Sequence, residues 1–254
     1  MNVALIQSPL EWENPEKNRN YFDEKIKAIT DADLIVLPEM FTTGFTMNPF
    51  DVAETMEGET VLWLQKTAKA KNIAITGSVI IKENEKLFNR LLFVFPDGEI
   101  KKYDKRHLFS LAGENEIYTA GQEKLIVDYN DFKICLLVCY DLRFPVFSRN
   151  TEDYDLLIYV ANWPKVRVNA WDILLKARSV ENMCFTIGVN RIGLDANNHQ
   201  YSGHSQVVDC LGNYLLEPQQ DEAASIVTLD KNQLYNTRKK LGFLNDRDQF
   251  TVLD

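Results

Sequence analysis

Short runs of apolar residues, each bounded by polar ones, alternate along this chain with stretches of helical period. Apolar runs of about four to eight residues are typical of strands buried on both faces. We therefore predict strands at 3–7, 34–37, 73–81, 87–95, 99–103, 125–127, 132–139, 156–160, 185–189, 206–208 and 225–229. Helices are predicted to begin at Asn14-Pro15, a cap followed by a first-turn proline, and to cover 60–71, 144–150 and 171–182.

Strands follow one another without a helix after the helix at 60–71, and Pro96-Asp97-Gly98 gives a hairpin signal. This order is unlike a doubly wound fold and predicts mixed sheets with meander connections. Two facing sheets with helices outside would bury such strands on both faces. No tandem repeat, low-complexity tract or Gly/Ser linker interrupts the 254 residues. We therefore expect a single α/β domain over 1–254, with a C-terminal tail from about 231 that begins as a helix.

Two further expectations concern individual segments. In the helix at 171–182, the residues expected to face the core are Ile173, Leu174 and Ala177. The stretch 104–121 has no clean period and is long for a connection, and such long loops are often functional.

Composition and charge narrow the class of protein. The formal net charge of −9 argues against a nucleic-acid groove or an anionic membrane surface as partner. No apolar stretch approaches the ~18 residues of a membrane span, and the N-terminus lacks the basic region of a signal peptide. The four cysteines show neither a disulfide framework nor metal-ligand spacing. We expect a soluble, cytoplasmic protein.

Cys139 ends the apolar run 134–138 and precedes a segment suited to a helix. In open α/β sheets, ligands bind in a crevice at the carboxyl ends of strands. A helix N-terminus at this place would favour the thiolate. The alternative is a core cysteine, because free cysteine is among the most buried residue types. This stretch alone leaves the two interpretations even.

Two other polar residues stand at comparable places. Glu39 follows the strand at 34–37, and Lys105 opens the loop after the strand at 99–103. Glu39 is a candidate base for the Cys139 thiol, and Lys105 is a candidate for stabilising an oxyanion. Nucleophile, base and electrophile together would make an acyl-transfer site. Their convergence does not follow from the sequence, because they lie far apart along it.

Three segments carry a resemblance to the nitrilase superfamily of carbon–nitrogen hydrolases: LPEMFTTGF (37–45), YDKRHLF (103–109) and VCYDLRFP (138–145). VANWP (160–164), ARSVEN (177–182) and VNRIG (189–193) also stand in the order which that family shows. The resemblance covers nearly the whole chain. It implies a four-layer α-β-β-α sandwich of two mixed sheets with helices outside, which agrees with the facing-sheet prediction.

The resemblance also implies roles for particular residues. Glu39 matches the general base, Lys105 the oxyanion-stabilising lysine and Cys139 the nucleophile. Glu114 matches a second glutamate that orients the lysine, although Glu116 stands close by. The implied reaction passes through a thioester, with the backbone N–H of Tyr140 as second oxyanion donor. It needs no metal or organic cofactor.

Alternatives remain for several of these residues. Lys105 could be a solvated lysine and Glu114 a loop carboxylate. A Cys–His hydrolase with His107 or His204 as base is the rival enzyme, and an interaction protein on the same scaffold is the rival of another class. Arg178 and Glu181, three apart on a helix, are expected to form a structural pair.

DKRHLF, CYDLRFP, YVANWP and the tail LNDRDQF resemble the ω-amidase branch most, which implies cleavage of the terminal amide of 2-oxoglutaramate or 2-oxosuccinamate. N-carbamoyl amines, aliphatic amides and nitriles are the alternatives within the superfamily. The substrate carboxylate calls for a cation, and the candidates are Arg143, Lys165, Arg167 and Arg191. Arg143 could instead pair structurally with an acid such as Asp141. Phe45, Tyr140, Asn162 and Trp163 are candidate pocket residues, and the resemblance further implies a homodimer or a higher homo-oligomer.

Overall fold

The computed structural model describes residues 1–252, so the last two residues of the predicted tail lie outside the described part. The strands are β1 (Asn2–Gln7), β2 (Leu34–Val36), β3 (Ala74–Glu83), β4 (Lys86–Val94), β5 (Ile100–Asp104), β6 (Leu125–Tyr129), β7 (Phe132–Val138), β8 (Leu156–Ala161), β9 (Phe185–Asn190), β10 (Ile192–Leu194), β11 (Gln200–Ser202), β12 (Ser205–Val208), β13 (Tyr214–Gln219) and β14 (Ala223–Thr228). The helices are α1 (Pro15–Lys27), α2 (Glu59–Lys71), α3 (Glu114–Ile117), α4 (Pro145–Ser148), α5 (Val168–Asn182) and α6 (Lys231–Leu241).

These strands form two six-stranded mixed sheets of the same design. The first has the order β14-β1-β2-β3-β4-β5 and the second β13-β12-β9-β8-β7-β6. In each sheet three central strands run parallel, β1-β2-β3 in the first and β7-β8-β9 in the second. The outer strands pair antiparallel, including the predicted meander β3-β4-β5. The expectation of mixed sheets is confirmed.

Helices cover the outer faces of the facing sheets. On the first sheet, α1 and α2 bury apolar residues such as Phe22 and Leu64 against Ile35 and Ile75. The largest apolar cluster joins both sheets with α5, and full burial of one such leucine or phenylalanine contributes about 1.5–3 kcal/mol. The predicted α-β-β-α sandwich is therefore confirmed, and it brings the carboxyl ends of parallel strands from both sheets to one region.

The segment after Cys139 differs from the prediction of a helix over 144–150. Residues Cys139–Arg143 form a 3₁₀ turn, and only the four residues of α4 follow. The reason is Pro145, which can begin a helix but biases the residue before it away from helical conformation. Phe144 accordingly has φ −114° and ψ 86°.

The inward face of α5 was predicted correctly only in part: Leu174 packs, partly buried, against the apolar cluster that joins both sheets, as expected. Ile173 is 58% exposed, whereas Trp171, Leu175 and Arg178 are buried. Arg178 turns inward because its guanidinium donates to the Leu142 carbonyl oxygen at 2.6 Å. Its ion pair with Glu181, at 3.0 Å, confirms the predicted pairing.

The start of α1 agrees with its prediction from the sequence. Asn14 caps α1 by accepting a hydrogen bond from the Lys17 N–H at 3.1 Å, and Pro15 is the first helical residue, as predicted. Strands β10, β11 and β13 were not predicted. Within residues 1–252, no helix has the length and apolar character that a membrane crossing requires.

Candidate active site

Cys139 occupies a strained turn at the carboxyl end of β7. The strand pairs with parallel β8 as far as Val138, and the next residue has φ +45°. This left-handed conformation costs a non-glycine residue about 1–3 kcal/mol. The chain therefore reverses sharply at the cysteine, whose half-buried side chain lines a cavity.

The surroundings keep the Cys139 thiol protonated. Burial raises the pKa of this thiol well above its ordinary value, the charge of Glu39 raises it further, and Lys105 opposes both effects. The expectation that a helix N-terminus favours the thiolate is wrong, because α4 begins only at Pro145. A protonated thiol needs a base before it can attack near neutral pH.

Glu39 lies just past β2, in a segment that continues along the edge of β3. The Leu37 N–H donates to the Thr76 carbonyl oxygen at 2.8 Å, and the Phe41 N–H donates to the Ser78 carbonyl oxygen at 3.1 Å. These bonds hold the turn between them against the sheet. The Glu39 side chain is completely buried as a result.

Donors surround the Glu39 carboxylate. Its Oε1 accepts from Lys105 Nζ at 2.9 Å and from Asn89 Nδ2 at 2.8 Å. Its Oε2 accepts from the Asn162 backbone N–H at 2.8 Å, and Asn162 Nδ2 donates to the Glu39 carbonyl oxygen at 2.6 Å. Asn162, which follows β8, thus acts mainly on Glu39 although it also lines the cavity.

Lys105 is buried between two carboxylates. Its Nζ lies 2.9 Å from Glu39 Oε1 and 2.9 Å from Glu114 Oε2, and all three side chains have zero exposure. Glu114 is held in turn by the Phe109 N–H at 2.6 Å. Glu116 is exposed, so Glu114 is the glutamate that contacts the lysine.

The electrostatics of this group follow from burial and the excess of negative charge. Burial lowers the pKa of Lys105, but Glu114 and Glu39 outweigh it, and the net result lies above the ordinary value. Burial and the charge of Glu39 raise the pKa of Glu114, although Lys105 opposes them. Lys105 therefore remains a cation that can face a developing oxyanion.

Asn89 is a site residue that the sequence analysis missed. Its Nδ2 bridges Glu39 Oε1 and Glu114 Oε1, at 2.8 and 3.2 Å, and its Oδ1 accepts from Ser78 Oγ at 2.8 Å. It is completely buried in β4. The available signal was the polar pair Asn89-Arg90 inside the otherwise apolar run 87–95.

Asp141 joins the Cys139 turn to the segment that carries Lys105. Its Oδ2 accepts from the Tyr103 hydroxyl at 2.8 Å and the Val138 N–H at 2.9 Å. Its Oδ1 accepts from the His107 N–H at 3.0 Å and lies 2.7 Å from His107 Nδ1. Asp141 was not predicted as a site residue beyond its possible pairing with Arg143.

The two histidines proposed as rival bases lie elsewhere. The His107 ring is engaged by Asp141 and stacks on Phe144 with centroids 3.8 Å apart. His204 Nδ1 lies 2.9 Å from Asp172 Oδ2. Neither histidine lines the cavity beside Cys139.

The cavity beside Cys139 has a volume of about 340 Å³, within the range of small-molecule sites. Most of its wall is apolar or aromatic, with a few polar groups among the lining residues Phe45, Met47, Lys105, Phe109, Leu111, Ala112, Cys139, Tyr140, Arg143, Asn162, Trp163, Pro164, Arg167, Asp195, Asn197, His199 and Tyr201. The predicted residues Phe45, Tyr140, Asn162 and Trp163 are all among them. The Phe45 ring also covers Lys105, with Nζ 5.3 Å from the ring centroid.

The four candidate cations separate into two groups. Arg143 and Arg167 line the cavity, whereas Lys165 and Arg191 do not. The Arg143 guanidinium lies 4.9 Å from the Trp163 ring centroid and forms no ion pair with any carboxylate of residues 1–252, Asp141 included. The Arg191 guanidinium is buried, and its Nε and Nη2 donate to backbone carbonyl oxygens.

The hairpin β10–β11 contributes a wall that the sequence analysis missed. Asp195, Asn197, His199 and Tyr201 from this hairpin all line the cavity. The turn signal was present in the polar run 195–200, but the flanking strands have only three residues each. Strands this short carry too little periodicity to be recognised.

Comparison with known proteins places this geometry in a family. A family model described as carbon–nitrogen hydrolase matches residues 2–239. The omega-amidase YafV of Yersinia enterocolitica is 43% identical, over 100% of this chain and 99% of the relative. The 2-oxoglutaramate amidase of Bacillus subtilis is 32% identical, over 96% of each chain.

A solved structure agrees with these relatives. XC1258 from Xanthomonas campestris, described as a CN-hydrolase superfamily protein with an arsenic adduct in its active site, has a TM-score of 0.97 and 41% identity. The match covers 99% of this chain and 98% of that one. The resemblance of the three segments around Glu39, Lys105 and Cys139 is thereby confirmed, and the chain belongs to the carbon–nitrogen hydrolase family, the nitrilase superfamily.

Proposed function

We propose that this chain is an ω-amidase, which releases ammonia from the terminal amide of a small carboxylate such as 2-oxoglutaramate or 2-oxosuccinamate. The observation that carries the proposal is the buried group Glu39, Lys105 and Glu114 beside Cys139, at the end of a cavity lined by Arg143. The relatives named omega-amidase and 2-oxoglutaramate amidase support the substrate class. The chain's own side chains supply nucleophile, base and electrophile, so the reaction needs no cofactor.

Acylation begins with proton transfer from the Cys139 thiol to Glu39. The sulfur attacks the amide carbon, and Lys105 Nζ together with the Tyr140 backbone N–H stabilises the oxyanion. The tetrahedral intermediate then collapses as Glu39 returns the proton to the amide nitrogen. Ammonia leaves, and the acyl group remains on Cys139 as a thioester.

Hydrolysis of the thioester uses the same groups in the opposite direction. Glu39 takes a proton from a water molecule, and the resulting hydroxide attacks the thioester carbon. The second oxyanion collapses with expulsion of the Cys139 sulfur, which takes back the proton. Glu114 and Asn89 act as positioning residues, since they hold Lys105 and Glu39 through both steps.

Recognition of the substrate's carboxylate is assigned to Arg143, with Arg167 close to the same cavity. Arg143 is only partly buried, lies over the Trp163 ring and has no carboxylate partner among residues 1–252, so its charge remains available. A guanidinium is well suited to a carboxylate because it can donate two parallel hydrogen bonds.

The nucleophile is tested by Cys139→Ala, with Cys210→Ala as the matched control at a cysteine away from the cavity. Ammonia release from 2-oxoglutaramate should fall at least about a thousandfold in Cys139→Ala, because the covalent route is lost. Cys210→Ala should retain the wild-type rate within about twofold, as a small change outside the site. Substantial turnover by Cys139→Ala would contradict a mechanism that passes through a thioester on Cys139.

We further infer that the protein is a homodimer that works in the cytoplasm. Ile173 and Val180 are 58% and 47% exposed, seven positions apart on one face of α5, and Leu211, which is 53% exposed, precedes Gly212, whose backbone lies against Val180. Such a patch is typical of a contact surface. Light scattering should give twice the chain mass of 29.3 kDa, and Val180→Lys should reduce it to one chain. The free thiols suit a reducing compartment, which cell fractionation tests.

A further inference from the structure

The hairpin β10–β11 brings a titratable pair to the cavity that the reaction described above does not use. Asp195 and His199 both line the cavity, and His199 Nδ1 lies 3.1 Å from Asp195 Oδ2. Asp195 has a side-chain exposure of 2%, whereas His199 is 61% exposed. The carboxylate is therefore fixed inside the hairpin, and the imidazole stands at the cavity mouth.

Asp195 organises the hairpin and has no free oxygen for a ligand. Its Oδ1 accepts from the N–H groups of Asn197 and His199, each at 2.9 Å. Its Oδ2 accepts from the Tyr201 hydroxyl at 3.0 Å and faces the His199 ring. These hydrogen bonds outweigh burial and lower the pKa of Asp195, so the carboxylate remains charged. Both Asp195 oxygens are therefore occupied within the hairpin and do not accept from the N–H groups of a substrate amide.

The pairing sets the orientation of the His199 ring. Because Nδ1 faces Asp195, the other ring nitrogen, Nε2, lies on the far side of the ring from the carboxylate. An imidazolium ring donates from both nitrogens, so a protonated His199 would offer its Nε2 hydrogen to an anion while Nδ1 stays on Asp195.

The other charges around the cavity are mainly cationic. Arg143 and Arg167 line it, and Lys105 at its floor is already held by Glu39 and Glu114. The Tyr201 ring beside His199 carries the Arg191 guanidinium 4.7 Å from its centroid. Arg143 and Arg167 thus have no carboxylate partner among residues 1–252, whereas Lys105 is paired with two carboxylates.

We propose that His199, held by Asp195, is a specificity-determining residue that binds the anionic end of the substrate together with Arg143. This inference rests on the proposed amidase function and extends it, since it assigns selection of carboxylate-bearing amides to the β10–β11 hairpin. The residue touches the distal end of the substrate and takes no part in bond making or breaking.

The test compares two substrates of equal shape and different charge. Glutaramate has one scissile amide and a carboxylate, whereas its diamide, glutaramide, has two equivalent amides and no carboxylate. The measured quantity is the ratio of kcat/KM for glutaramate to kcat/KM for glutaramide. His199→Gln should lower this ratio about fivefold, as expected for one partly exposed charge pair. His199→Lys should restore it, and added salt should lower it in the wild type.

Gln200→Lys provides the matched control, because Gln200 is exposed on the same hairpin and does not line the cavity. This variant should leave the ratio at the wild-type value. An unchanged ratio in His199→Gln, or an equal loss on both substrates, would overturn the proposal while the amidase function stands. If the wild type released ammonia from neither amide nor from 2-oxoglutaramate, the proposed function itself would fail, and this inference with it.

Discussion

At the scale of single residues, the proposed mechanism has to overcome the resistance of the Cys139 thiol to ionisation. Burial and the charge of Glu39 raise the pKa of the Cys139 thiol, and Lys105 compensates only in part. In the proposed mechanism the thiolate therefore forms only when Glu39 takes the proton during attack. The same arrangement predicts slow alkylation of Cys139 near neutral pH, because the thiolate is the reactive form.

This account predicts opposite effects of Glu39→Gln on two measurements. Turnover should fall by about 10²–10⁴, because the general base is lost. The midpoint of the pH dependence of Cys139 alkylation by iodoacetamide should move to lower pH, because a negative charge that raises the thiol pKa has been removed. A midpoint that moved to higher pH would show that Glu39 does not destabilise the thiolate.

Sequence reasoning found the residues whose neighbours form recognisable segments, namely Glu39, Lys105 and Cys139. It missed Asn89 and Asp141, which act through these residues and hold them in place. Asn89 lies within an apolar strand, and its partners come from three distant parts of the chain. Such contacts depend on the register of paired strands and on the packing of distant segments, which a single sequence does not specify.

At the scale of elements, the site depends on one connection between β5 and the turn that follows β7. Tyr103 on β5 donates its hydroxyl to Asp141 Oδ2, which also accepts from the Val138 N–H, while Oδ1 accepts from the His107 N–H. Lys105 and Cys139 are therefore held at a fixed separation although they belong to different sheets. Loss of this bond should affect activity as well as stability.

Tyr103→Phe tests this connection, with Tyr129→Phe as its control. Tyr103→Phe removes a hydroxyl that donates to Asp141 at 2.8 Å and accepts from the Arg106 N–H at 3.1 Å, and Tyr129→Phe removes a hydroxyl that donates to the Asp33 carbonyl oxygen at 2.9 Å. Each should lower the free energy of unfolding by about 1–3 kcal/mol. Only Tyr103→Phe should lower kcat, by about tenfold or more, since a small misplacement of reacting groups is costly. Equal kcat values in the two variants would confine Asp141 to stability.

Predictions for elements succeeded where burial alone determined the pattern. Most of the core strands were found from their apolar runs. The face of α5 was misjudged because Arg178 is buried, although arginine is usually solvated. Its guanidinium donates a hydrogen bond to the Leu142 carbonyl oxygen. The helix after Cys139 was overestimated because Pro145 separates a 3₁₀ turn from a single helical turn.

At the scale of the whole molecule, one apolar cluster joins both sheets, from Val3 and Val36 in the first to Leu136 and Ile158 in the second. We propose on this basis that the chain is a single domain. Unfolding in denaturant should then be one cooperative transition, with far-UV circular dichroism and tryptophan fluorescence coinciding.

The tryptophans report on both halves, since Trp63 packs on the first sheet and Trp171 belongs to the shared cluster. Ile158→Ala should destabilise the whole chain by about 2–5 kcal/mol without separating the two signals. Two resolved transitions would indicate that the sheets fold as independent units.

The central claim is that the Cys139 site acts on amides of small carboxylates. Its most direct test is the rate of ammonia release by the wild-type protein from 2-oxoglutaramate, from N-carbamoylputrescine and from a simple nitrile at equal concentration. The account predicts release from 2-oxoglutaramate well above that from the other two compounds, because Arg143 faces the cavity without a carboxylate partner among residues 1–252. The reverse ranking, with N-carbamoylputrescine or the nitrile preferred, would contradict it.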